Sequence, residues 1–467
     1  MMRDAPLPVR LLLRLGLSPQ KTLLCASDLL ALLGTALFVF LVRAAFGDID
    51  PVLYRWVLPF LFLGPILGSS LNLYQGISLP PHRELRALFL MVTLTYSMML
   101  VALFLSKSGD IYSRFVIAGS WGVTLFTLPA LRGLCRRRFS WRRWWGLPLI
   151  ILDRSDAGRE LWHYLKRHPE RGLTPVDIFS LPDDQETLRL VLEKAAVRWP
   201  GALVMILQRP DREQSLDYVT EVNKWFSKIL LVPAFGRGFR VHWLTPRDLG
   251  NAVGLLLRQN LHDRWRLHLK RGMDILACLF ILPVLVPLGL LLALLIRLDS
   301  PGPVLYRQRR IGQKGRRLDI CKFRTMMVNA DAALREILAR DPSLRAEWQR
   351  DQKLRHDPRI TRVGAFLRKT SLDELPQLIN VVMGEMSLVG PRPIVESEIA
   401  KYGEVYDEYC RVKPGITGLW QISGRNDTSY DERVAYDHYY INNWSVWMDI
   451  WILCRTVPVA LTGYGAY

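Results

Sequence analysis

The chain has 467 residues, 62 Lys and Arg against 43 Asp and Glu, a formal net charge of +19, and 50% apolar residues. At roughly 150 residues per domain that length suggests about three units, and the apolar content excludes intrinsic disorder. The apolar residues gather in long runs near the N-terminus and in one run near the middle, which argues against a purely soluble protein.

Four apolar stretches come first: Leu23–Ala45, Val52–Leu73, Leu85–Leu105 and Ile111–Leu131. Each approaches the ~20 residues that cross a ~30 Å hydrocarbon core. The first run comes late, is long and lacks a small-residue cleavage site, so no cleavable signal peptide is expected. Asp28 and Arg55 are polar intrusions, expected to be satisfied structural contacts inside the bundle or at its edge. Arg132, Arg136-Arg137-Arg138, Arg142 and Arg143 follow the fourth stretch, among Trp141, Trp144 and Trp145. Arg3, Arg10, Arg14 and Lys21 precede the first. An even number of spans puts both basic flanks on one side, which the positive-inside rule makes cytoplasmic. Arginines clustered beside spans account for the charge, so no nucleic-acid partner is expected.

From Leu147 to about Leu257 the pattern becomes α/β. Apolar runs at Leu147–Leu152, Val176–Leu181, Ala202–Leu207 and Ile229–Pro233 alternate with helical stretches at Ala157–Arg167, Gln185–Arg198 and Arg212–Phe226. That alternation predicts a parallel sheet with helices on both faces, a small Rossmann-like domain. A nucleotide would bind at a Gly-rich turn after the first strand. Here the turn reads Leu152-Asp153-Arg154-Ser155-Asp156-Ala157-Gly158, with one glycine and two carboxylates that would repel a phosphate. A scaffold or oligomerisation domain, and so a candidate homodimer surface, is preferred over a nucleotide sensor.

Lys270-Arg271-Gly272-Met273-Asp274 leads into the apolar run Ile275–Ile296. It is long enough for a fifth span. Pro283 and Pro287 each remove a helical hydrogen bond in mid-run. Positive charge flanks both ends, with Lys270 and Arg271 before and Arg297, Arg307, Arg309 and Arg310 after. From the residues alone, a fifth span and a kinked segment that dips in and returns stay equally open.

The candidate chemistry lies beyond residue 300. Arg307-Gln308-Arg309-Arg310, Cys321-Lys322-Phe323-Arg324-Thr325-Met326, Arg368-Lys369-Thr370-Ser371-Leu372-Asp373-Glu374-Leu375-Pro376-Gln377 and Gly390-Pro391-Arg392-Pro393 set cations on both sides of an adjacent carboxylate pair. Such a group suits a polyanion and a divalent metal. Mg²⁺ takes few protein carboxylates and completes its shell with water and phosphate oxygens. One carboxylate could hold the metal while the other attacks phosphorus. The bland alternative is that Ser371-x-x-Glu374 is a helix capping box, slightly weakened by Pro376. Val412–Gly418 and Gln421–Arg425 are Gly-rich loop candidates whose plain role is turns. Trp444, Trp447 and Trp451 line one helical face, a stripe that is usually core and here also suits an interfacial helix. The six cysteines, Cys25, Cys135, Cys278, Cys321, Cys410 and Cys454, share no C-x-x-C spacing. Neither a zinc site nor a disulfide framework is indicated, and a reducing compartment is expected for the soluble parts.

These strings carry a resemblance. Lys270-Arg271…Asp274, Lys322-Phe323-Arg324-Thr325-Met326, Thr370–Gln377 and Met386-Ser387-Leu388-Val389-Gly390-Pro391-Arg392-Pro393 make the last ~200 residues similar to the bacterial sugar transferase family, the monotopic polyprenyl-phosphate phosphoglycosyl transferases. With four spans and an α/β middle, the whole chain resembles the large WbaP-type members, undecaprenyl-phosphate galactose phosphotransferases. The resemblance implies a membrane protein of α plus α/β class. Residues 1–145 would form a four-helix transmembrane domain and 146–257 a Rossmann-like domain. Residues 258–467 would form the catalytic domain, with a re-entrant helix over 274–297 broken at Pro287, and Pro283 as a further breaker. Val286 stands where the family has a serine.

The resemblance also implies a reaction. Asp373 would attack the β-phosphorus of a UDP-sugar, with galactose the best guess, and release UMP. Undecaprenyl phosphate would then take the phosphosugar from the aspartate. Glu374 would bind Mg²⁺, and Arg368 and Arg392 would contact substrate phosphate or the nucleotide. Lys322 and Arg324 are further substrate-binding candidates. The site would face the cytoplasm at the bacterial inner membrane, at the start of O-antigen, capsule or exopolysaccharide synthesis. The alternative is a non-enzymatic membrane scaffold or chain-length regulator, whose work an Asp373→Asn change would spare.

Overall fold

The computed structural model of the protein describes residues 18–47, 49–107, 112–142, 144–153, 157–180, 185–208, 221–233, 244–248, 253–257, 264–340, 357–424 and 428–462, with a few isolated positions besides. The chain divides into two compact units, Met1–Phe239 and Arg240–Tyr467.

In the first unit, prolines open the long apolar helices. Pro19 begins α1 (Pro19–Ala44) and Pro81 begins α2 (Pro81–Leu105), positions where the missing N–H costs no bond. Helix α3 spans Arg114–Phe139. The expected second span is instead three short helices, Pro51–Tyr54, Leu58–Leu61 and Leu63–Ser70, each with a proline in its first turn. These four segments, and a later helix at Trp265–Asp299, are long and apolar enough to cross a membrane. The first four enclose a core around Leu32, Leu61, Met91 and Leu128.

Asp28 is paired within that core. Arg132 Nε and Nη2 donate to its two carboxylate oxygens at 2.7 and 2.6 Å. Arg132 Nη1 donates to Glu84 at 2.7 Å, and Arg136 donates to Glu84 twice at 2.6 Å. Two buried carboxylates thus meet two guanidiniums, which offsets their loss of water. Arg55, by contrast, is exposed beside the Trp56 ring. Arg3, Arg10, Arg14 and Arg143 lie outside the described residues.

The same unit carries a four-stranded sheet of order β2-β1-β3-β4, formed by β1 (Leu147–Asp153), β2 (Leu173–Ser180), β3 (Leu203–Gln208) and β4 (Ile229–Pro233). Every pairing is parallel, as the alternation predicts. Strand β1 is buried on both faces: Leu149 and Ile151 enter one apolar cluster, Ile150 and Leu152 another. Helices α4 (Ala157–Arg167) and α5 (Gln185–Arg198) fall where expected. Most of the expected helix Arg212–Phe226 lies outside the described residues.

The second unit begins with a hairpin of Leu244–Asp248 and Val253–Leu257, followed by α6 (Arg264–Asp299), which stays helical through Pro283 and Pro287. Both ends of α6 are fastened to one body. Near its start, Lys270 Nζ pairs with Asp449 Oδ2 at 2.6 Å, and Asp274 accepts from Ser387 Oγ at 2.8 Å and Leu388 N at 3.2 Å. At its end, Asp299 Oδ2 accepts from Val363 N at 3.0 Å.

That body contains an antiparallel hairpin, β5 (Leu305–Ile311) with β6 (Arg317–Phe323). A helix at Ala330–Arg340 follows, and then α7 (Arg362–Thr370) and α8 (Gln377–Met383). A parallel pair, β7 (Ser387–Val389) with β8 (Gly415–Thr417), comes next. Helices α9 (Leu419–Ser423), α10 (Tyr430–Asn443) and α11 (Val446–Thr462) complete it. Trp444 is buried and its indole donates to Asp449 Oδ2 at 3.0 Å, so it belongs to the core, where Trp451 also packs.

Candidate active site

The carboxylate pair sits on a sharp turn between two helices. Thr361 caps α7 by accepting from Gly364 N at 3.0 Å. The helix ends at Ser371, whose φ of 55° is left-handed, a conformation uncommon outside glycine. A single 3-10 turn, Leu372–Glu374, follows at once, and α8 begins after Pro376. Ser371 makes no side-chain cap, so the capping-box alternative does not form here. The second unit does contain a true capping box, at Ser429 and Glu432. Pro376 stands at the cap position of α8, where its missing N–H removes no helical bond.

Lys322, near the end of β6, reaches the pair. Its Nζ donates to Glu374 Oε1 at 2.8 Å and lies 3.9 Å from Asp373 Oδ2. Arg392 Nη1 lies 3.9 Å from the same Glu374 Oε1. Arg368, in the last turn of α7, donates from Nε to Thr325 Oγ1 at 2.9 Å. Burial pushes the Asp373 carboxyl above the ordinary aspartate range; Glu374 adds to that, while Lys322 and Arg368 oppose it.

Close backbone packing holds Arg392. A Cβ on Gly415 would fall 2.1 Å from Gly390 N, and one on Gly418 would fall 2.3 Å from Gly390 O. Only glycine permits this approach, which sets β8 against the segment carrying Arg392. The expected Gly-rich loop is therefore partly a strand, and Arg425 lies outside the described residues.

Arg324 behaves differently from its neighbour Lys322. Its guanidinium donates to Ser300 O at 2.6 Å, Ser300 Oγ at 2.7 Å and Pro301 O at 3.1 Å. Those bonds tie it to the chain leaving α6, so it serves as a brace there, while one side of it borders the cleft.

A cleft of about 1580 Å³ joins these groups. Lys322, Arg368, Asp373, Glu374 and Arg392 line its polar part; Ala277, Ile281 and Leu285 of α6, with Leu453 and Val457 of α11, line an apolar wall. Sequence reasoning did not single out Gln308, Trp420 or Arg433, which also line it. Arg310 was read as flanking charge and as one of the cations around the carboxylate pair, without a role of its own. Its signal was the period-2 spacing of Tyr306, Gln308 and Arg310, which puts all three on one face of β5.

The donor set fits a hard divalent cation. Asp373 and Glu374 offer oxygens only, and the ammonium of Lys322 already lies against them. Among the described residues no three His, Cys, Asp or Glu side chains gather as a metal cage. An ion here would take the rest of its shell from water and phosphate, as Mg²⁺ commonly does.

Residues 265–463 match the family model described as bacterial sugar transferase. The undecaprenyl-phosphate galactose phosphotransferase of Salmonella typhimurium is 38% identical over 367 residues, covering 76% of this chain and 77% of the relative. The chain belongs to the bacterial sugar transferase family. The UDP-galactose-lipid carrier transferase of Erwinia amylovora is 36% identical over 373 residues, 76% of each chain. The UDP-glucose:undecaprenyl-phosphate glucose-1-phosphate transferase of Escherichia coli is 31% identical over 392 residues, 80% of this chain and 81% of the relative. The family resemblance read from the motifs is thus borne out, and the protein is an enzyme of this transferase family. Residues 69–200 match a further model, described as a CoA-binding domain. At the turn after β1, Asp153 Oδ2 accepts from Gly158 N at 2.6 Å, so a carboxylate takes a helix N–H that a bound phosphate would use.

Proposed function

We propose that the protein transfers a sugar-1-phosphate from a UDP-sugar to undecaprenyl phosphate, releasing UMP and giving undecaprenyl-diphosphate-sugar. This is the first membrane step of a surface or exported polysaccharide. Galactose is the favoured sugar, because two relatives named for galactose are 38% and 36% identical and two named for glucose are 31% and 32% identical.

The observation that carries the reading is the cleft itself. An adjacent Asp–Glu pair lies among Lys322, Arg368 and Arg392, and an apolar wall from α6 and α11 continues the same space. A charged diphosphate suits the first part and an isoprenoid chain the second.

Asp373 is the nucleophile. Its carboxylate oxygen forms a bond to the β-phosphorus while the bond from that phosphorus to UMP breaks. The phosphate of the lipid then attacks the same phosphorus and frees the aspartate. Phosphoryl transfer depends chiefly on positioning and on neutralising spreading charge, which suits the paired donors of Arg368 and Arg392. Lys322 holds Glu374 and neutralises charge beside Asp373. Glu374 would hold Mg²⁺, which supplies further neutralisation at phosphate oxygens when bound.

Helix α6 is re-entrant in this account. Asp274 and Asp299 are 25 residues apart, ~37 Å along a straight helix, yet both bond to the one catalytic body. A straight crossing would carry them to opposite sides of a ~30 Å core; Pro283 and Pro287 supply a bend. The four N-terminal segments form a transmembrane bundle, residues 1–145, with the soluble parts on the cytoplasmic side of the inner membrane. The α/β layer, 146–257, is a scaffold and candidate homodimer surface, and 258–467 is the catalytic domain.

UMP release tests the reaction. Purified protein in lipid particles receives undecaprenyl phosphate, Mg²⁺ and UDP-galactose, UDP-glucose or N-acetylated UDP-sugars in turn. UMP from one donor, absent with Asp373→Asn, is expected. No UMP from any donor with folded protein would favour the scaffold alternative.

A further inference from the structure

One end of the cleft is not used by the chemistry above. Beyond Arg392 lie Arg310 of β5, Arg433 of α10, Glu398, Trp420 and Gln421. Arg433 is buried. Its Nη1 donates to Glu398 Oε1 at 3.1 Å, while its Nε and Nη2 are buried with no hydrogen-bond partner among the described residues. Arg310 repeats the arrangement: Nη1 is 3.9 Å from Glu398 Oε2, and Nε is buried without a partner. The guanidiniums of Arg392 and Arg433 lie 5.5 and 5.0 Å from the centre of the Trp420 ring. That ring is fixed by its donation to Thr428 Oγ1 at 2.8 Å.

The carboxylates at this end do not balance the cations. Glu398 is shared between Arg310 and Arg433. Asp437 is buried, accepts from Tyr402 at 2.7 Å, and is pushed up to about 7 by burial, so it is only partly charged at neutral pH. Arg310, Arg392, Lys322 and Glu374 border one small recess, which links this end to the carboxylate pair. Buried guanidinium N–H groups without acceptors are costly, and phosphate oxygens are the acceptors their planar fork fits best.

We propose that Arg310 and Arg433, the latter set against Trp420 beside Arg392, form a second phosphate subsite that holds the nucleotide-side phosphate of the donor and then the departing UMP. The proposal rests on the transfer reaction above. As the bond from the β-phosphorus to UMP breaks, negative charge develops on the leaving phosphate, and cations fixed in advance at that point stabilise it. The lipid acceptor is the other source of a phosphate, and the packing argues against it here. The apolar cluster behind Arg310 and Arg433 contains Ile311, Ile394, Tyr402, Tyr409 and Val434, with no residue of α6. The cluster behind Arg368 contains Leu292 and Ile296 of α6. The water-soluble donor therefore takes the Arg310 end, and the lipid phosphate approaches from the Arg368 end.

UMP binding tests this without turnover, by calorimetry on the full-length protein in lipid particles. The wild type binds UMP, and Arg310→Gln weakens binding about ten- to hundredfold, the worth of a charged hydrogen bond or two. Arg310→Lys keeps the charge but not the fork and falls between them. In the assay of turnover, Arg310→Gln raises KM for the UDP-sugar and leaves KM for undecaprenyl phosphate within about twofold. Equal UMP binding by wild type and Arg310→Gln, no binding by the wild type, or a rise in KM confined to the lipid would each overturn the proposal. Should Arg310→Gln not fold, Arg310→Lys carries the same comparison. A wild type that binds UMP but turns over no donor rejects the transfer reaction and leaves the subsite standing.

Discussion

Asp373 faces opposed demands. As the proposed nucleophile it must be ionised, yet its burial favours the neutral form and raises its pKa. The sign has two consequences. A folded pKa above the unfolded value gives stability that is present below the unfolded pKa and lost as pH rises through the folded one. At pH 7 the ionised carboxylate is therefore a cost, and Asp373→Asn is expected to unfold at the same or a higher temperature than the wild type, with any advantage shrinking toward pH 4. Activity should fall on the acid side at a pH above the ~3.9 of an ordinary aspartate. Thermal unfolding and a pH profile of kcat/KM check both; a lower unfolding midpoint for Asp373→Asn would contradict the first. The pair and its cations were legible in the sequence as clustered charge. Arg324 was not, because its role depends on where a strand stops. Strand β6 ends at Phe323, so the two-residue alternation that would have carried Arg324 to the side of Lys322 is lost, and its guanidinium turns to Ser300 and Pro301. Arg433 carried no sequence signal of a ligand, since a lone arginine in a polar helix reads as solvated.

At the scale of elements, the site depends on two very short strands, β7 and β8, each of three residues. Neither shows enough alternation to be read as a strand, and the glycines around them read as turns. Their pairing follows from backbone approach rather than side-chain pattern. Gly415→Ala is therefore expected to cost roughly 3 kcal/mol, the upper part of the overpacking range, and to abolish transfer by moving Arg392. Gly272→Ala is the matched control, because nothing lies within 4 Å of a Cβ there; in a helix that change is neutral or stabilising by up to ~1 kcal/mol. Denaturant unfolding of the two variants checks the contrast, and equal midpoints would contradict it. Most of the described α/β elements were legible to within a residue, because a parallel sheet buries its strands on both faces and leaves continuous apolar runs; β2 begins at Leu173, three residues before its expected start. The second apolar stretch was legible as hydrophobic but not as broken; Pro59 and Pro65 divide it.

For the whole molecule, net charge was a poor guide on its own. Of the arginines that follow the fourth apolar stretch, Arg132 and Arg136 are taken up by Asp28 and Glu84 on the neighbouring apolar helices. Others, Arg310, Arg392 and Arg433, converge on the cleft. Family membership and reaction class were legible because several motif strings occur in order across the last ~200 residues. The amphipathic cleft was not, since α6 and α11 are far apart in sequence and meet only in the fold. The central claim is that the sugar phosphate passes through Asp373. It is tested most directly by incubating the protein with a UDP-sugar labelled in the sugar, without undecaprenyl phosphate, and mapping label on the denatured chain by mass spectrometry. The account predicts one equivalent of UMP, a phosphosugar adduct on the peptide containing Asp373, loss of the adduct when undecaprenyl phosphate is added, and none with Asp373→Asn. Turnover in the full reaction with no adduct formed in the absence of acceptor, or an adduct on another residue, would contradict it.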